Sequence, residues 1–222
     1  MTHTVHPYAF RIGFTRGWKS RWFSVRQYQE LLRVDVLLRE WLAAHLRRFA
    51  VSSIEIERSP TQLHVIVHTA RPGLIIGRGG EGVERLRRQI LAKLRGIKAG
   101  TSQAMKLSVE EVRAPETHAK LVAQLAADDL ERRLPFRRVM KQIIEKVMAN
   151  RKVGGVKIRL SGRLGGTEMG RREWLKRGRI PLQTLRADVD FAQERAHLPY
   201  GDIGVTVWIY KGEQASADIG AR

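Results

Sequence analysis

At 222 residues the chain is long enough for one large domain or two ordinary ones, and 43% hydrophobic residues suffice for a core. Lysine and arginine number 41 against 22 acids, a formal charge of +19, which calls for a partner dense in negative charge. The absence of cysteine excludes disulfides, thiolate zinc sites, iron–sulfur clusters and cysteine nucleophiles; without a signal-peptide pattern or an 18-residue apolar run, no membrane partner and a cytoplasmic location are expected.

Residues 1–24 mix glycine, proline, aromatics and arginines without a period of 2 or 3.6, which predicts an irregular arm that orders against something, or a local aromatic cluster. From about Arg26 to Phe49, Leu31, Leu32, Leu38, Trp41, Leu42 and Phe49 recur at helical spacing. VSSIEIER (51–58) and QLHVIVHT (62–69), around Ser59-Pro60-Thr61, predict a β-hairpin. A short apolar run, Gly73 to Ile76, leads into a glycine loop and a helix from about Glu81 to Leu94, with Val83, Leu86, Ile90 and Leu94 along one side. MKLSVEEV (105–112) reads as a strand, and Arg113-Ala114-Pro115-Glu116 as a domain boundary.

Two helices are expected beyond it, about 116–132 and 135–150. Strands follow at 156–163, 182–191 and 203–212, with a glycine bend at Gly165-Gly166 and a basic stretch up to Ile180. The charge is uneven: Arg132 to Arg186 holds 17 lysines and arginines against three acids, or +14 of the +19. The end of the chain, 213–222, is small and polar and is expected to fray.

The loop GLIIGRGGEGVERLR (73–87) carries two patterns. Gly77-x-Gly79-x-x-Gly82 matches a dinucleotide-binding fingerprint, which needs a strand directly before it and an acid about 20 residues later. The predicted strand ends near Thr69, and Gly100-Thr101-Ser102-Gln103 offers no acid. Gly77-Arg78-Gly79-Gly80 instead fits the GxxG loop of a KH domain, between a short helix and a longer one, where glycines let backbone amides approach nucleotide phosphates. A glycine turn without a ligand uses the same residues and stays open at this point.

ValHisPro (5–7) with ArgIleGly (11–13), HTARPGLIIGRGGE (68–81), LERRLPFRRVMK (130–141), SGRLGG (161–166), GRIPLQTLRAD (178–188) and GVTVWIYKGE (204–213) together resemble, in order, the family of universal small-subunit ribosomal protein three, bacterial type. The resemblance covers nearly the whole chain. It implies an α+β protein: an N-terminal type II KH domain, with helices on one face of a three-stranded sheet, then a second α/β domain with two helices on a mostly antiparallel sheet. The expected divisions are an arm (1–24), the KH domain (25–113), the C-terminal domain (114–212) and a flexible tail (213–222). The implied partners are small-subunit ribosomal RNA in the head, messenger RNA at its entrance channel, ribosomal proteins ten and fourteen in the head, and four and five at the channel. One position departs from the family's usual Gly-Lys-Lys-Gly or Gly-Lys-Arg-Gly loop: here only Arg78 is basic, so it carries more of any phosphate contact.

Phe136, Val139, Met140, Ile143 and Val147 fall on one side of the helix after Pro135, with Arg137, Arg138 and Lys141 roughly opposite. With Arg132 and Arg133 these are the residues that the resemblance assigns to gripping messenger RNA, a task suited to phosphate contacts that read no sequence. The remaining expected ribosomal RNA contacts are Arg11, Arg16, Lys19 and Arg21 in the arm. A second set, Arg163, Arg171, Arg172, Lys176, Arg177 and Arg179, surrounds Trp174. Arginines mixed with an aromatic suit irregular RNA, although the Trp174 ring itself is expected in the core. His64 and His68 share a strand face, but no third ligand accompanies them, so no metal is expected. No catalytic constellation or cofactor is expected either. The competing function is a free KH-type RNA-binding factor.

Overall fold

A computed structural model describes residues 5–97 and 104–213. Its backbone contacts divide the chain into two compact units, Trp18–Arg113 and a second formed by the N-terminal stretch up to Gly17 together with the chain from Ala114 onward. The arm expected over 1–24 is therefore not one body: its two parts belong to different units.

In the Trp18–Arg113 unit, β1 (Ser20–Arg21), α2 (Tyr28–His45), β2 (Val51–Arg58), β3 (Gln62–Thr69), α3 (Pro72–Ile76), α4 (Glu81–Gly96) and β4 (Ala104–Glu111) follow in order, while α1 (Pro7–Phe10) belongs to the other unit. The sheet runs β1-β2-β3-β4, with β2 and β3 antiparallel and β4 parallel to β3. The expected three strands gain a fourth, because two residues of the arm pair in parallel with Ile56 and Glu57. Alternation sets the core: Ile54, Ile56, Leu63, Val65, Val67 and Met105 face the helices, packed against Leu38 and Leu42 of α2 and Leu86, Ile90 and Leu94 of α4. Leu32 of α2, expected inward, lies on the exposed side, while Val34 and Asp35 are buried.

The opposite sheet face is a polar ladder. Arg21 pairs with Glu55 at 3.1 Å and Glu57 at 3.2 Å, while His64 reaches Ser108 Oγ at 2.8 Å and Glu57 at 3.2 Å. His68 lies 3.5 Å from Glu55 and 3.4 Å from Glu110. Among the described residues no group of three metal-ligating side chains forms.

The second unit begins with α1 (Pro7–Phe10) and resumes with α5 (Ala119–Glu131), α6 (Phe136–Met148), β5 (Gly155–Gly162), β6 (Arg171–Gly178), β7 (Ala187–Leu198) and β8 (Gly201–Glu213). The four strands are antiparallel in the order β6-β5-β8-β7. Ala119, Ala123, Ala126 and Ala127 of α5 are buried in the core, their small side chains allowing a close helix-to-sheet approach. Val139, Met140, Ile143 and Val147 of α6 complete the same core with Ile144, and Phe136 packs at its rim. Asp190 of β7 accepts a bond from the Ala119 N–H at 2.9 Å and so caps α5.

Two strand expectations are corrected. The stretch 182–191 becomes a strand only from Ala187, since residues 181–186 form a loop held by Arg11, and the strand continues to Leu198. The basic stretch before Ile180 is itself an edge strand, β6, lacking apolar alternation because most of its length is exposed. The expected tail beyond Glu213 lies outside the described residues.

Candidate nucleic-acid interface

The glycine loop is a helix–turn–helix clamp. The chain turns between α3 and α4 through Gly77, Gly79 and Gly80, with φ of 70°, 61° and 81°. These left-handed values favour glycine, and around Gly79 and Gly80 the space that a Cβ would fill is open. Gly82 serves a different purpose: a Cβ there would lie 2.3 Å from the Ile75 carbonyl oxygen, so the contact between α3 and α4 requires glycine. The third glycine of the apparent dinucleotide fingerprint is thus a packing residue. Arg78 is exposed and has no hydrogen-bond or ion-pair partner among the described residues. Glu81 and Glu84 occupy the first turn of α4, complementing its dipole and offsetting the positive potential there.

The basic helix is built by its surroundings. α5 ends in a Schellman motif: the Arg133 N–H donates to Leu130 O at 2.8 Å and the Leu134 N–H to Asp129 O at 3.2 Å. Arg133 takes the left-handed position at φ 63°, where glycine is usual. Pro135 then opens α6. Arg132, Arg133, Arg137, Arg138 and Lys141 are all exposed, and of these only Arg137 has an ion pair among the described residues, 3.6 Å from Glu173.

Glu173 joins the two basic clusters. It lies on β6 and also holds Arg171 at 3.0 Å, while Arg137 and Arg171 each lie over the Phe136 ring at 5.6 Å. Arg137 of α6 and Arg171 of β6 therefore share one surface. Arg172, Lys176, Arg177 and Arg179 are exposed and without an ion pair among the described residues.

Several predicted contacts are instead internal braces. Arg11 is 0% exposed: Nε donates to Ala187 O at 2.7 Å, Nη1 to Pro7 O at 3.0 Å, and Nη2 to Thr184 O at 2.9 Å and Leu182 O at 3.0 Å. Burial pushes its pKa down from the ordinary arginine value, with Asp188 opposing. Arg16 sits 2.8 Å from Asp188 and 3.7 Å from Asp190; burial acts to lower its pKa, but the two carboxylates prevail and raise it. Arg163 donates to Thr167 O at 2.9 Å and Tyr200 O at 3.1 Å, clipping the glycine bend to the β7–β8 turn. Arg21 is exposed but shared between two glutamates, and Lys19 is exposed beside it.

Trp174 corrects the opposite expectation. The residue is 61% exposed rather than in the core. Sequence reasoning also passed over Lys157 and Arg159, although the alternation in VKIRLSGR puts them on the face opposite Val156, Ile158 and Leu160.

A GxxG clamp between two helices on a mixed sheet, joined to an α/β unit with a basic helix, defines a KH-domain RNA-binding protein. Residues 37–117 match the KH domain family, and residues 126–209 match the family described as "Ribosomal protein S3, C-terminal domain". The chain is 46% identical to the small ribosomal subunit protein uS3 of Maridesulfovibrio salexigens, with 96% of each chain covered. It is 45% identical to that of Magnetococcus marinus (96% and 97% covered) and 44% identical to that of Lawsonia intracellularis (99% of each). The chain belongs to the uS3 family of bacterial ribosomal proteins, as a structural, RNA-binding and non-enzymatic component of the small subunit in the cytoplasm.

Proposed function

We propose that Arg132, Arg133, Arg137, Arg138 and Lys141 line the channel by which messenger RNA enters the small subunit, gripping phosphates and opposing message structure as translocation draws the strand in. The observation that carries this reading is the exposed cations at the end of α5 and on α6, of which only Arg137 meets a carboxylate, Glu173, among the described residues. Phosphate contacts of this kind read no sequence, as a channel for every message demands. Unwinding is passive here, driven by translocation.

In the same reading ribosomal RNA is held by the open GxxG loop, Gly77, Arg78, Gly79 and Gly80, and by Arg172, Lys176, Arg177 and Arg179. Lys19 and Arg171 contribute from partly engaged positions, while Arg11, Arg16, Arg21 and Arg163 act through the protein's own structure. Ribosomal proteins ten and fourteen are the proposed neighbours in the head, and four and five at the channel.

The test replaces Arg137, Arg138 and Lys141 with alanine and measures translation of a message with a stable hairpin against an unstructured one. Greater slowing on the hairpin message is expected. Equal slowing on both overturns the channel role.

A further inference from the structure

The outer face of the second unit's sheet, away from α5 and α6, is divided in two. Over β7 and one end of β8 it is covered: Ala187, Val189 and Trp208 form a small core with Ile180, Phe191 and Tyr210, and His6 meets the Phe191 ring edge-on at 4.6 Å. No hydrophobic cluster of described residues forms on it over β6 and β5, and the strand register sets what stands there. Trp174 stands opposite Arg159, Lys176 opposite Lys157, and Arg172 opposite Ser161.

These side chains form an alternating stack of cations and indoles. Lys157 Nζ lies 5.2 Å from the centroids of both Trp174 and Trp208, and the Arg159 guanidinium lies 5.2 Å from Trp208. Arg172, Lys176, Lys157 and Arg159 have no ion pair among the described residues, and the Arg159 Nε is buried without a hydrogen-bond partner. Glu173, between Arg172 and Trp174 in sequence, points to the other face, where it holds Arg137 and Arg171. Next to Trp174 the floor is low, because Ser161, Thr206 and Gly204 occupy adjacent register positions of β5 and β8.

An exposed indole among four uncompensated cations does not suit a hydrophobic protein partner, which would leave the charges desolvated. It suits a chain whose phosphates meet the cations while a flat, uncharged ring covers the indole. The geometry points to this half of the sheet as a binding face for single-stranded or looped RNA, with Trp174 stacking one unpaired base and Lys157, Arg172 and Lys176 meeting the flanking phosphates. A base in a duplex is already stacked on both sides, so the face discriminates against paired RNA. The inference rests on the RNA-binding reading of this unit, but not on the channel role of α6.

The full-length chain is titrated with a short unstructured oligoribonucleotide and with a blunt RNA duplex of equal length. Trp174→Ala is expected to weaken single-strand binding about 5- to 150-fold, the effect of losing one base–aromatic stack, with duplex affinity within about twofold of the original. Trp174→Phe recovers most of the loss, and the salt dependence is the same in both variants. Lys157→Ala and Lys176→Ala each lower the slope of log affinity against log salt by about 0.7. Because Trp174 is exposed on an edge strand, its truncation leaves the far-ultraviolet dichroism unchanged. In assembled small subunits, ultraviolet crosslinking is expected to attach a nucleotide to the peptide that spans Arg171–Gly178. The proposal is overturned by single-strand affinity unchanged in Trp174→Ala, by equal weakening for strand and duplex, or by crosslinking of that peptide to protein only. Failure of the channel reading would show elsewhere, in hairpin-message translation by the α6 variants.

Discussion

Replacing Arg11 by methionine keeps most of the side-chain volume and removes every donor. The Ala187 and Pro7 carbonyls accept buried bonds from it at 2.7 and 3.0 Å, and without a donor each costs about 1–3 kcal/mol. The carbonyls of Pro181, Leu182 and Thr184, at 3.3, 3.0 and 2.9 Å, lie in a part-exposed loop that water can reach, so their loss is counted as small. Relief of a buried guanidinium with no carboxylate in contact returns part of the total. The net expectation is a loss of about 3 kcal/mol. At a urea m-value of about 2 kcal/mol per molar, the midpoint falls by about 1.5 M. Urea unfolding of the full-length chain, followed by far-ultraviolet dichroism, measures it. Arg11→Lys should lose nearly as much, because a single ammonium cannot reach carbonyls that converge on a planar fork from three stretches of chain. A loss under about 1 kcal/mol in Arg11→Met, or wild-type stability in Arg11→Lys, would refute the brace and return Arg11 to the candidate RNA contacts.

Gly82→Ala should destabilise the KH unit by more than 2 kcal/mol, since the new Cβ meets backbone 2.3 Å away; Gly79→Ala, with open space but φ of 61°, should cost only about 1 kcal/mol, and thermal melts compare the two. Asp35 is 0% exposed, bonded to Arg58 at 2.6 Å and to the Trp22 indole N–H at 2.7 Å; Asp35→Ala strands a buried guanidinium and should cost about 3–5 kcal/mol, with altered tryptophan fluorescence as the local reporter. Arg133→Gly relieves a left-handed arginine and should stabilise the second unit by about 0.5–1 kcal/mol while weakening RNA binding; a chain both less stable and equally tight on RNA would contradict both roles assigned to Arg133.

What could be read from the chain alone follows where periodicity and burial coincide. VSSIEIER and QLHVIVHT alternate because one face of their sheet is buried, and they form β2 and β3 with the expected ends. The apolar side of α6 was legible for the same reason. β6 was not, because an edge strand whose side chains mostly face water carries no apolar alternation, and RREWLKRG reads as a basic loop. The roles of single arginines were the least legible. Arg11 and Arg172 are the same residue type in similarly basic surroundings, yet one satisfies five carbonyls 170 or more positions away or within its own turn, and the other meets solvent. No local pattern encodes a partner brought in by the fold.

Those internal claims sharpen the meaning of the net charge. Three cations in the first sixty residues are cancelled where they stand: Arg16 by two aspartates, Arg21 by two glutamates, Arg58 by Asp35. Along α6 and β6 the balance runs the other way, with Glu173 alone pairing two arginines among the described residues. Its position is mechanically economical, since a carboxylate there holds Arg137 and Arg171 against Phe136 and limits repulsion between helix and strand without reaching Arg138, Lys141, Arg172 or Lys176. Cations held at fixed spacing by a folded core lose less freedom when a phosphate arrives than cations on a disordered tail. The basic composition marks an RNA-binding protein, but the carboxylates decide which cations are left to bind it.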